Sequence, residues 1–387
     1  MRTCSIFAIF MLSLLPLTST VSANSAKWTV MLYMDGDNDL ERYISKDINR
    51  ELGLIGSSTD VNVIAIADRK PGSFRKDGNW TSTKIFYITE GMTATPSAAI
   101  EDWGERNMGD PETLVDFMNW AKFYYPAEHY ALVFWDHGWG WRPSQTMWDT
   151  TNRDALDQHE ILAALLEAGP VDIVAYDACQ MQSIEVQATF RQFTGFLVAS
   201  QESVGGRGFN YETILMSLRS RPEMSIQELA IEFSNSMTDW TSSVVTLNSN
   251  WDQLIEAVDQ WSLVMLDGLP AYRIAYDNAW ALTQGFDDPL YKDLADAAYQ
   301  IQIQVDDSVI QFACQAVIDA VKLVVVDEWH RRKYPGANGI SIFWPRLTQD
   351  LDEPSSTEWN DFEYYQQKLQ FAEMTHWDEF LAAYVNR

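Results

Sequence analysis

Cysteine is nearly absent from this sequence. Its 387 residues include three cysteines, and Cys4 lies in a stretch with the marks of a cleaved export signal, so only Cys179 and Cys314 remain. Two thiols cannot staple a disulfide scaffold, although an exported chain could join them in one bridge. Cys314, inside "SVIQFACQAVIDAVKLVVV", reads as a packed helix residue. Histidine is also scarce, with five in the chain. His129, His159, His330 and His376 lack metal-ligand spacing and read as surface or packing residues. Positive charge is short as well: 27 Lys and Arg stand against 55 Asp and Glu, a formal net charge of −28. Such a surface repels nucleic acid and anionic membranes and draws in basic ligands. No segment after the N-terminal stretch offers the roughly 20 uncharged apolar residues that a membrane-spanning helix needs. Internal repeats, low-complexity tracts and clear linkers are missing too, which argues against solenoids and disordered arrays.

With 47% hydrophobic and 21% charged residues, the composition is that of a globular protein. At the N-terminus, Arg2, the apolar run Ile6 to Leu17 and the small residues around Val21, Ser22 and Ala23 read as an export signal over residues 1–23. The expectation is a mature chain that is secreted or periplasmic and, having lost Arg2, one unit more negative. Short apolar runs without polar alternation follow: "WTVMLYM", "VNVIAIAD", "YALVFWD", "VDIVAYD", "FLVAS" and "GISIFW". Runs of this kind suit strands covered on both faces. Helical patterns lie between them at Leu40 to Ile55, Pro111 to Tyr125, Glu160 to Ala168 and Ser183 to Phe190, so the expected class is α/β with a mainly parallel sheet. "TKIFYIT" reads as part of an edge hairpin, Leu218 to Lys333 as mostly helical with "TSSVVTLN" a further strand, and "WDEFLAAY" as a docking helix. One domain over 24–387 is the economical reading, with a core over about 27–215 and a helical elaboration plus a returning strand over about 216–387.

Two adjacent strand patterns end in reactive groups. "YALVFWDHG" runs into His137 and Gly138, and "VDIVAYDAC" runs into Cys179. Ligands gather at the carboxyl ends of parallel strands, so His137 is expected to face Cys179. A thiol attacks carbonyls as the thiolate and needs a partner or a helix terminus to favour that form; the helical pattern after Cys179 suggests such a terminus. The amides of Gly138 and Cys179 are candidates for binding an oxyanion. Acyl transfer by a cysteine nucleophile is the chemistry these residues permit.

"VMLYMDGDNDLE", "LVFWDHGWGW", "DIVAYDACQMQSIEV", "VASQESVGGRGFNYE" and "GANGISIFWP" resemble, in order and spacing, the clostripain-like cysteine peptidases of family C11. The resemblance covers nearly the whole mature chain. It implies a caspase-like sheet flanked by helices on both faces, a His137 and Cys179 dyad, an acyl-enzyme and cleavage after arginine or lysine. It also implies two acidic residues in the primary specificity pocket. Asp177 stands at the first position. At the second, in "GGRGF", Arg207 replaces the acid, and Glu202 is the candidate to supply the missing charge. Family members are often matured by cutting between the His and the Cys; Arg142 and Arg153, read as lying in exposed turns, are the candidate self-processing sites. Some relatives use calcium.

"DGDNDLE", Asp35 to Glu41, begins with carboxylate spacing like that of an EF-hand. Leu40 and Lys46 then stand where glycine and glutamate are required, so it reads as a loop and helix N-cap and no calcium ligand set is assigned. Three function classes remain: a secreted cysteine endopeptidase acting on proteins or peptides, a catalytically silent relative acting as a binding or surface protein, and a carbohydrate-active surface protein suggested by "GWGW" and the 16 tryptophans. Oligomeric state is left open.

Overall fold

The computed structural model describes residues 25–71, 74–143, 146–351 and 361–386. The expected export signal lies outside them. Among the described residues thirteen strands occur, in chain order: β1 Ala26–Gly36, β2 Val61–Arg69, β3 Thr83–Tyr87, β4 Glu101–Gly104, β5 Ala127–Trp135, β6 Trp148–Asp149, β7 Asp154–Ala155, β8 Ile173–Asp177, β9 Phe196–Ala199, β10 Thr241–Thr246, β11 Tyr291–Asp293, β12 Val325–His330 and β13 Ser341–Phe343. Nine of them form one sheet in the order β12-β10-β9-β8-β5-β1-β2-β3-β4. The five from β9 to β2 run parallel, and antiparallel pairs flank them at both edges.

The unalternating apolar runs are explained by burial on both faces. Along β1, Met31 and Tyr33 enter one core cluster, while Val30, Leu32 and Met34 enter the other. In β5, Leu132 and Phe134 part from Val133 and Trp135 in the same way. Successive side chains of a strand point to opposite faces, so a sheet with helices on both sides needs apolar residues at every position. Local signals set the helix starts. Asp110 caps Pro111–Tyr124 with proline at the first turn, and Asp157 and Glu160 form a reciprocal capping box at Gln158–Ala168.

The C-terminal half departs from the expectation in two places. "GISIFW" does not return to the central sheet: β13 pairs antiparallel with β11 in a separate small sheet. β12 is an edge strand of the main sheet inside the stretch expected to be helical. The run "KLVVVDEW" carries no break between helix and strand, so only pairing with β10 decides where the helix Ser308–Val324 stops. The helix Trp377–Val385 docks as expected, with Trp377 stacked on Trp261 at 5.1 Å.

Candidate active site

β1, β5 and β8 are neighbours and parallel, so the segments leaving their carboxyl ends converge. The connection out of β1 goes to one side of the sheet and that out of β5 to the other, and such a reversal opens a crevice. A cleft of about 340 Å3 lies there, and His137 and Cys179 both line it. Gly138 makes the approach of the two loops possible. A Cβ on it would stand 2.7 Å from the Cys179 carbonyl oxygen and 2.8 Å from Met181 Sδ. Among the described residues, no acceptor takes the backbone amide of Gly138 or of Cys179.

The thiol is held by the neighbouring loop: the Val204 amide donates to Cys179 Sγ at 3.2 Å, and Sγ lies 3.7 Å from the Val204 carbonyl oxygen. Burial pushes the Cys179 thiol above its ordinary value, and the carboxylates of Asp177 and Asp287 add to this against the Val204 and Ser203 hydrogen bonds. The expected helix terminus is not beside it. The chain turns through Gln180 at φ +59°, and the helix starts only at Ile184, capped by Ser183. No thiolate is therefore pre-formed by a helix dipole, and a proton acceptor has to serve it.

His137 is half-exposed, and its Nε2 lies 2.8 Å from Asp39 Oδ1, a contact that lowers the Asp39 pKa. Asp136, its neighbour in sequence, packs away from the ring: Asn38 Nδ2 donates to Asp136 Oδ1 at 2.7 Å and the Trp148 amide to Oδ2 at 2.6 Å. Burial raises Asp136 to about 7. Asp39 was legible only as part of an expected N-cap. The helix Glu41–Asp47 starts instead at Leu40 with no side-chain cap, which leaves the Asp39 carboxylate for the imidazole.

The model of the Peptidase C11, or clostripain, family matches residues 32–384. The chain belongs to the clostripain family. Clostripain of Hathewaya histolytica is 31% identical over 223 residues, which are 50% of this chain and 42% of that protein. The match thus spans less than half of that relative's length. In fold the chain resembles a secreted C11 cysteine protease of Bacteroides thetaiotaomicron, solved with an irreversible peptide inhibitor, at a TM-score of 0.67 and 20% identity over 91% of this chain and 99% of that one. An inactive zymogen C11 protease of Parabacteroides distasonis gives 0.66 at 19%, with the same coverage.

In this clostripain-family chain a residue absent from the sequence reading also lines the cleft. Asp47, at the end of the helix Glu41–Asp47, lines the cleft with Asp177. Trp135 Nε1 donates to Asp47 Oδ2 at 2.9 Å, and burial raises this carboxyl to about 6. Asp177 accepts from the Tyr211 hydroxyl at 2.8 Å and the Phe209 amide at 3.2 Å. Burial, followed by the charge of Asp47, pushes Asp177 to about 8. Gly208, at φ +61°, leaves room for it, since a Cβ there would stand 2.2 Å from Asp177 Oδ1. No spacing signal joins Asp47 to Asp177; only the strand ends bring them together.

Arg207 is exposed at the rim and, among the described residues, forms no ion pair with Asp177 or any other acid. Glu202 does not reach the cleft. It is buried, and its Oε1 accepts the Ser203 amide at 2.9 Å. Beside Asp177 the cleft is thus lined by Asp47, not by Glu202. Arg142 was expected in an exposed turn but is buried, its guanidinium 5.3 Å from the Phe343 ring and 3.9 Å from Asp288. Arg153 is exposed, in the turn between β6 and β7. In "GWGW", Trp141 is core, edge-on to Phe343 and Tyr365, and Trp139 is tied to Asp288 at 2.8 Å, so the motif forms no aromatic platform. Cys314 is buried in its helix and is not bridged to Cys179.

Proposed function

We propose that the chain is an exported cysteine endopeptidase that cuts proteins or peptides after arginine or lysine. The observation that carries this reading is the single cleft holding His137, Cys179 and two buried acids, Asp47 and Asp177. Asp47 Oδ1 already accepts from Lys46 Nζ at 3.0 Å, whereas Asp177 has no cationic partner among the described residues; a substrate guanidinium or ammonium entering beside Asp177 supplies that counter-charge, and opposite charges at close range in a partly dry site attract by several kcal/mol, about 4 at 4 Å and intermediate dielectric. The scissile carbonyl then lies near Cys179. His137 takes the thiol proton as sulfur bonds to the carbonyl carbon, and the oxygen, now negative, is received by the amides of Gly138 and Cys179. The imidazolium gives its proton to the leaving amine, the C–N bond breaks, and water, deprotonated by the same imidazole, hydrolyses the thioester. Asp39 holds the outer nitrogen of the ring so that the other faces the reaction. Export is supported by Arg2, the apolar run Ile6 to Leu17 and the small residues before Asn24.

A positional peptide library, digested by the mature protein and by Cys179→Ala, tests the reading. Cutting after arginine or lysine, lost in the variant, is expected. Cutting only after acidic or apolar residues would reject the pocket assignment, and no cutting by either protein, even after proteolytic activation, would favour a silent binding relative. Self-processing is assigned to Arg153. The intact mass of wild type should fall into two fragments split after that residue, and Arg153→Ala should stay whole; cleavage retained in Arg153→Ala would reject it.

A further inference from the structure

The acids that line the cleft each have a partner. Asp39 meets His137, Asp136 accepts from Asn38 and Trp148, Asp47 from Lys46, and Asp177 from Tyr211 and Phe209. Two exposed cations on its rim lack a counter-ion: Arg42 and Arg207 line the same cleft, and among the described residues neither guanidinium is in an ion pair. Arg42 stands on the helix Glu41–Asp47 and Arg207 in the loop between β9 and the helix Tyr211–Ser220. Tyr43 links the two. Arg42 Nη2 donates to its hydroxyl at 3.1 Å, and a Cβ built on Gly206, the neighbour of Arg207, would stand 2.9 Å from the same oxygen. Two guanidiniums thus flank one rim in a chain whose net charge is −28. Like charges on one rim repel, and an anion beside them relieves that repulsion.

A second hollow of about 400 Å3 adjoins the cleft, and Arg207 and Gly208 line both. Lys46 and Glu51 pair with each other there at 3.0 Å, and its other side chains, Asn235 and Thr238 among them, are uncharged. Arg207 is therefore the unpaired charge of that hollow. We propose that Arg42 and Arg207 are specificity residues that bind acidic side chains of the substrate, so that cleavage favours a basic residue at the cut with aspartate or glutamate within three positions of it. This rests on the reading of the chain as a peptidase cutting after arginine or lysine. With the basic side chain beside Asp177 and the scissile carbonyl at Cys179, the adjoining residues of the peptide, about 3.3 Å apart when extended, run along this rim. A guanidinium offers a carboxylate two parallel N–H donors, and the neutral hollow leaves room for the acid's side chain. The preference opposes the long-range field. A net charge of −28 repels an acidic peptide as a whole, so an acid favoured at one or two positions marks local cations.

The test compares kcat/KM, at one low salt concentration, for peptides with arginine fixed at the cut and aspartate, glutamine or lysine placed in turn at the three positions on either side. At one or more positions aspartate is expected to exceed lysine by roughly 5-fold, as suits a partly exposed ion pair. Arg42→Glu and Arg207→Glu should each invert that ratio at the position it reads, a gain for lysine that misfolding cannot produce. A flat profile in wild type, with arginine still cut, would overturn the proposal and leave the peptidase reading intact. So would an acid preference that survives both reversals, or an Arg207→Glu variant that alters only the choice of residue at the cut. No cutting after arginine or lysine would reject the peptidase reading and the proposal with it.

Discussion

At the scale of single residues, environment divides two cysteines and pairs two acids. Cys314 is pushed to about 12 by burial, whereas Cys179 opens on the cleft with a smaller rise. Iodoacetamide should therefore label Cys179 alone, slowly at neutral pH and faster as pH climbs toward the ordinary thiol value of 9.0; equal labelling of Cys314 on peptide mapping would contradict this. Burial, with the nearby charges of Asp47 and Glu51, outweighs the hydrogen bonds from the Tyr211 hydroxyl and the Phe209 amide and raises the Asp177 carboxyl to about 8 in the empty pocket. A cationic substrate residue meets a full anion only above that value. The ratio of kcat/KM for an arginine substrate to that for a neutral one should thus rise with pH through about 8, and Asp177→Asn should lower it by roughly 100-fold, about 3 kcal/mol for a buried charge pair broken on one side. Linkage gives stability the opposite sign. A carboxyl whose folded pKa is raised from 3.8 to about 8 stabilises the fold below 3.8 and loses that contribution as pH rises through about 8. Asp177→Asn should consequently gain in Tm over the parent above pH 8 while it loses arginine turnover.

At the scale of elements, loop contacts decide the geometry. The segment after Cys179 is braced by β13: the Ser341 amide donates to the Gln182 carbonyl at 3.0 Å, and the Phe343 amide to the buried Glu185 at 2.8 Å. "GISIFW" was readable as a strand because the run is apolar and short. Its partner was not readable, because the period of a strand says which faces are buried and not which strand lies beside it. Gly138 presses on the same segment from the other side. Gly138→Ala should cost about 1–3 kcal/mol as an overpacking change, seen in Tm, and should reduce the single-turnover acylation rate more than tenfold by displacing the Cys179 carbonyl. Unchanged acylation would show that the two loops have slack.

At the scale of the whole molecule, charge and sheet order matter together. A net charge of −28 should steer basic substrates to the cleft, so kcat/KM for a lysine- or arginine-rich peptide should fall several-fold between low salt and 0.5 M salt, where the screening length drops to about 4 Å. A neutral peptide measured in parallel should change little. No described helix is long and apolar enough to cross a membrane.

The sequence by itself determined the class of fold and that His137 and Cys179 follow neighbouring strand ends. Unbroken apolar runs require strands covered on both faces, and a parallel sheet brings the residues just past "LVFW" and "IVAY" to one edge. Tertiary structure alone decided that Asp39 rather than Asp136 meets His137, that Asp47 rather than Glu202 joins Asp177, and that Arg142 is buried. These pairings join residues about 100 positions apart or more. Each is set by which strand ends become neighbours and by which way each loop turns, and neither is written in local spacing.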